Sequence, residues 1–162
     1  VNGRIPLRSR DRTSSYLHEV FHVWAPFDVA PDGRWVSEGL AEYYTLVLQQ
    51  RAGRLTDAQV QDAVALFRRY GRWHVDLSQT RTAAALNNSA PFVMAVLDDL
   101  IRSQSHGKRR LDDAVRTLVH DGHPVTTAAW LAAVQQAAGS NLAPFFQQHV
   151  HRGIPPVRAV AP

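Results

Sequence analysis

Between Tyr16 and Tyr44 the chain reads YLHEVFHVWAPFDVAPDGRWVSEGLAEYY, and its histidines and glutamates have the types and spacing for metal chemistry. His18 and His22 are four residues apart. On a helix they share one face, about 6 Å apart along the axis, so both imidazoles can reach one Zn²⁺. Glu19 lies on the flank of that face, where a carboxylate can exchange a proton with water at the ion without ligating it. A third ligand must come from elsewhere. Fifteen residues separate His22 from Glu38, and Pro26, Pro31, Asp32 and Gly33 are turn residues that let the chain reverse. Glu38 is expected in the first turn of the next helix, with Gly39 permitting close approach of the two backbones. Two neutral imidazoles and one carboxylate leave such an ion with a net charge of about +1 and a position open to water. Zinc lowers the pKa of that water to roughly 7, which makes hydroxide available at neutral pH. Glu42, one turn beyond Glu38, is placed to accept the outer ring N–H of His18 or His22 and so hold the tautomer. The competing reading is a surface helix pair with incidental histidines. Trp24 and the run from Trp35 to Tyr44, at turn-and-helix spacing, favour the metal.

The elements that must position these residues read as helices. A first is expected over about Thr13–Trp24, capped by Thr13 or Ser14, and a second over Ser37–Arg51, closed near Gly53. Thr56 with Gln59 forms a capping-box pattern for a third, ending at Gly71 after Tyr70. Residues 72–88 lack clear periodicity and read as a loop. Ser89 is expected to cap a fourth helix with Pro91 in its first turn. A fifth follows over Leu111–Val119, and a sixth from Thr126 or Thr127 to Ala138, before Gly139. A seventh runs from Leu142 to about His151, with Asn141 as its cap. No strand-like alternation persists, so the expected fold is all-α with about seven helices.

Composition bounds the partners. The 162 residues are 45% hydrophobic, enough for one domain with a sizeable core. There is no cysteine, so a metal must be held by His, Asp or Glu. No apolar run reaches the length of a membrane span. The net charge of +4 comes from dispersed arginines and the single Lys108. No aromatic residues interleave with them as a base-stacking surface requires, so nucleic acid is not an expected partner.

HEVFHVW and WVSEGLAEYY together resemble the gluzincin zinc metallopeptidases, specifically the glycyl aminopeptidase family, whose members often carry a PDZ domain. The segment from Val93 to Val119 and the closing segment from Val125 to Pro156, with Gly139 and Phe145-Phe146, are similar to the family's later segments. The resemblance implies a thermolysin-like C-terminal helical lobe and one Zn²⁺ held by His18, His22 and Glu38. It also implies Glu19 as general base and acid, and a peptide substrate.

Three departures stand out. The loop from His22 to Glu38 is shorter than the family's and lacks the usual Asn after the motif tryptophan. Where the family has Tyr-x-x-Gly, this chain has Asn87 and Ala90, so the oxyanion role is left unassigned, with Asn87 and His74 as candidates. The family's upstream β-rich portion has no counterpart before Tyr16, and such a portion of the same protein is an expected partner.

The expected organisation is a basic arm or upstream remnant at 1–12, a helical lobe at 13–156 and a tail at 157–162. Zinc-dependent, aminopeptidase-like hydrolysis is the expected function. The alternatives are a non-catalytic zinc-stabilised domain that binds peptide or protein, and an inactive piece of a larger peptidase. Localisation is left open, with the resemblance leaning to a bacterial envelope or secreted setting. The remaining histidines (His120, His123, His149, His151) read as surface residues. Tyr43 and Tyr44 read as interface packing, the four tryptophans as core anchors, and the pairs Asp98-Asp99 and Asp112-Asp113 as solvated or capping acids.

Overall fold

Side-chain caps open several of the helices. Ser14 is extended and its hydroxyl accepts the Leu17 amide at 3.3 Å, which starts α1, Ser15–Trp24. A computed structural model describes residues 12–158 of the chain. Most of the basic arm at 1–12 and the last four residues of the tail lie outside them. Helix α2, Arg34–Arg51, begins three residues earlier than expected. A 3₁₀ turn over Pro31–Gly33 runs directly into it, because Pro31 has the φ of a helix start preset. Glu38 therefore lies in the second turn of α2, not the first.

Helix α3, Asp57–Tyr70, opens on a complete capping box. The Thr56 hydroxyl accepts the Gln59 amide at 3.2 Å, and the Gln59 side chain accepts the Thr56 amide at 3.0 Å. The expected loop over 72–88 is helical from residue 83 onward, with a π-helical turn at Ala85–Ser89 that continues into α4, Ala90–Gln104. Ser89 is accordingly not a cap. It is buried, and its hydroxyl donates to the Arg72 carbonyl at 2.8 Å. The physical reason is Pro91. It has no N–H for the carbonyl one turn back and its ring crowds that carbonyl, so a widened turn just ahead lets the helix run through it.

Helix α5 spans Leu111–Asp121 and α6 spans Thr127–Ala138, the latter between a Thr126 cap and a left-handed Gly139. Helix α7 is short, Ala143–Phe146, and continues as a π-helical turn over Gln147–His151. Asn141 helps open it, its side chain accepting the Ala143 amide at 2.9 Å. The described residues form an all-α fold with seven α-helices. Among the described residues there is no strand, only an isolated parallel bridge between Val29 and Val125. No described helix is long and apolar enough to cross a membrane.

The core forms around α2 and α4. Trp35, Leu40, Tyr44 and Leu46 of α2 are fully buried, as are Phe92, Met94 and Leu97 of α4, with Phe67, Trp130 and Phe146 closing the sides. Gly39 was expected to bring α2 close to α1; instead it meets α4. A Cβ at Gly39 would stand 2.9 Å from the Ala90 Cβ.

Trp35 and Trp130 are core anchors and Trp73 is half-buried, but Trp24 is 67% exposed. It closes the outer end of α1 beside Val23, which is 81% exposed, and meets Phe21 of the core edge-on. Asp98 is not solvated. It is buried, accepting the Tyr43 hydroxyl at 3.1 Å, the Arg102 guanidinium at 2.7 Å and the Leu111 amide at 2.8 Å, so it ties α2 and α5 to α4. Asp113 caps α5 through the Arg110 amide, and Asp112 accepts the Tyr44 hydroxyl. Arg158 of the tail holds Asp99 and Gln61.

Candidate metal centre

Helix α1 presents His18 and His22 on the face that meets α2, and α2 presents Glu38 and Glu42 one turn apart on the answering face. The Nε2 atoms of His18 and His22 are 3.2 Å apart, and Glu38 Oε2 is 3.3 Å from His18 Nε2. One donor atom from each of His18, His22 and Glu38 fits within 4.8 Å of the others. The three side chains are partly buried: 14% of the His18 side chain and 25% of the Glu38 side chain remain accessible.

Behind the donors, the outer nitrogen of each imidazole has a partner on α2. His18 Nδ1 donates to Glu42 Oε2 at 2.8 Å, and His22 Nδ1 lies 3.5 Å from the Ser37 hydroxyl. Glu42 thus occupies the position the sequence spacing suggests, against His18. Ser37 went unnoticed in the sequence, where its only signal is its place one residue before Glu38. Holding Nδ1 as the proton-bearing atom turns the Nε2 lone pair toward the shared centre. Two imidazole nitrogens and one carboxylate oxygen, converging from two helices with their outer atoms tied, fit a Zn²⁺-type cation of mixed nitrogen and oxygen preference.

Without a cation the same geometry traps a proton. Hydrogen bonds to Glu38 and then Glu42 push His18 up to about 9, against the opposing effect of burial. The reciprocal bond to His18 holds the Glu38 carboxyl below its ordinary range, with a smaller contribution from the nearby Arg34. An imidazolium bridging two carboxylates is the protonated counterpart of a metal-loaded site.

A cleft of about 620 Å³ opens beside the cluster. His22, Ser37 and Glu38 form one wall, apolar residues of the Ala25–Pro31 turn another, and Arg34 and Arg81 complete it. Arg81 arrives on the loop after α3. That loop is tied to the C-terminal segment by the His74 amide on the Gly153 carbonyl at 2.7 Å and the Leu77 amide on the Val150 carbonyl at 2.9 Å. The crossing requires a glycine: Gly153 has a left-handed φ of 61°, and a Cβ there would come within 2.2 Å of the Val75 carbonyl oxygen. Neither arginine stood out in the sequence, since nothing local marks a cation that long-range packing brings to a cleft.

The other predicted residues are not gathered into this cleft. Glu19 is exposed on α1 next to His18 and is not among the lining residues. Asn87 is exposed in the π-helical turn, and His74 is exposed with a positive φ of 59°; neither lines the cleft. No family model, curated protein or solved structure matches the chain.

Proposed function

We propose that the chain is the helical lobe of a zinc-dependent peptide hydrolase, aminopeptidase-like by its resemblance to the glycyl aminopeptidase family. One observation carries the reading: three donor atoms from two helices meet within 4.8 Å while a carboxylate holds the outer nitrogen of His18. His18, His22 and Glu38 would hold the ion. Zinc supplies Lewis acidity, which polarises a carbonyl and eases deprotonation of water at neutral pH.

The remaining work falls to the chain's own residues. Glu42 fixes His18 with its proton on Nδ1, and Ser37 offers the same service to His22. The Glu38 carboxyl, held in its ionised form, offsets part of the charge of a bound cation. The Glu19 carboxylate accepts the proton released by the attacking water and returns it to the departing amine nitrogen. Its exposure on α1 leaves it accessible to water.

Metal analysis of the purified chain, combined with peptide arylamide hydrolysis with and without chelator, tests the reading. The expected result is one zinc per chain and chelator-sensitive turnover. Glu19→Gln should keep the zinc and lose about 10²–10⁴-fold in turnover, the usual worth of a positioned acid–base group. Undiminished hydrolysis by that variant would refute the role of Glu19.

A second reading is favoured by one observation: neither Asn87 nor His74 lines the cleft, so no side chain is assigned to the oxyanion. On that reading the zinc braces α1 against α2 and the cleft binds peptide without cutting it. Zinc retention with no turnover on any peptide, and a large loss of thermal stability on chelation, would select it.

A further inference from the structure

We infer that the cleft beside the metal cluster is a carboxylate pocket, in which Arg34 and Arg81 receive an acidic group of a peptide substrate. This deepens the peptidase reading and rests on it for the identity of the ligand as a peptide. Among the described arginines, Arg51, Arg102, Arg116 and Arg158 each hold a carboxylate at 2.5–2.7 Å, while Arg68, Arg72 and Arg152 make no such pair. Arg34 and Arg81 line the same cleft as Glu38, yet neither guanidinium has a hydrogen-bond or ion-pair partner among the described residues. They come from sequence-distant elements, the start of α2 and the loop after α3, so their convergence is a product of the fold.

Glu38, the acid that lines the same cleft, is paired with His18. A planar guanidinium matches the two oxygens of a carboxylate, and two of them, on exposed residues that line one open cleft, favour an anion over a neutral group. The adjoining wall of Phe27 and Val29 is apolar and suits the hydrocarbon part of the residue that carries that carboxylate. In a peptide such a carboxylate is either the C-terminal group of a short substrate or an aspartate or glutamate side chain.

Zinc-loaded protein should be assayed on two matched pairs: Ala-Phe against Ala-Phe amide, and Ala-Glu amide against Ala-Gln amide. The expected result is a preference of about ten- to hundredfold in kcat/KM for the charged member of one pair, the size expected for hydrogen bonds to a charged group. The pair that responds identifies the source of the carboxylate. The preference should vanish in the Arg34→Gln/Arg81→Gln double variant, with its circular dichroism and zinc content unchanged. Equal rates within both pairs, or a preference that survives in the double variant, would overturn the inference while leaving the peptidase reading intact. A calorimetric titration of the same peptides into zinc-loaded Glu19→Gln protein reads the pocket without turnover. Arginine-dependent binding of the charged peptide in a protein that hydrolyses nothing would uphold the pocket and remove the peptidase. Absence of both binding and hydrolysis would remove both.

Discussion

Two polar clusters join α2 to its neighbours, one through Asp98 and one through His18. Asp98 is buried between α2, α4 and α5, and its two oxygens are fully used: one takes the Leu111 amide, the other the Tyr43 hydroxyl and the Arg102 guanidinium. Every strong donor there meets an acceptor within the protein. Between α1 and α2 the arrangement is different. Two imidazole Nε2 atoms face each other at 3.2 Å with a carboxylate oxygen alongside. The first cluster is a joint, closed on itself. The second gathers lone pairs around a point and is completed by something with positive charge. Burial of polar groups alone does not distinguish a structural hub from a ligand site; the balance of donors against acceptors does.

That contrast can be broken in both directions. His22→Ala should abolish stoichiometric zinc retention through gel filtration while the metal-free protein unfolds within about 1 kcal/mol of its parent. Asp98→Ala should do the reverse, destabilising the fold by about 3 kcal/mol in denaturant titrations, because it strands buried donors, while leaving zinc stoichiometry at one. A loss of zinc from Asp98→Ala under conditions where it remains folded would erase the distinction. A smaller effect is expected from Glu42→Ala, about 10–100-fold in zinc affinity by chelator competition, the usual consequence of removing the partner of a ligating histidine.

The gentlest probe is pH. In the metal-free protein His18 is raised to about 9 from an ordinary 6.5, chiefly by Glu38 and then Glu42. The protonated form therefore contributes stability that is complete below 6.5 and lost as pH climbs through 9. Metal-free protein should become less stable across that window. Zinc, which must displace the same proton, should bind up to about tenfold more tightly per pH unit over it. Zinc affinity that stays flat across the window would show that His18 carries no such proton.

Much of this was legible in residue order because the signals are local. Ser14, the Thr56–Gln59 pair, Thr126 and Gly139 mark helix ends through bonds to residues three or four positions away. The His18–His22 spacing and the Glu38–Glu42 spacing are likewise one helical turn each. What sequence reading missed depends on distant packing. The start of α2 moved because a proline turn fused with it, and Ser89 lost its capping role because Pro91 is accommodated by a π-helical turn. Trp24 is exposed because the end of α1 projects beyond the core, which composition cannot reveal. Arg81 reaches the cleft only because residues 74 and 77 are pinned to the chain near Val150 and Gly153.

The contact between Gly39 and Ala90 has a consequence for ligand spacing. Two small residues set the thickness of the α2–α4 seam, with no side chain to act as a spacer, and Glu38 is the immediate neighbour of one of them. His18 and His22 are carried by a different helix. The gap between carboxylate and imidazoles is therefore gauged in part from the interior of the protein, where α2 meets α4. A single added methyl at that seam would push the gauge out of true and detune the proposed grip on a cation without altering any of the donor atoms.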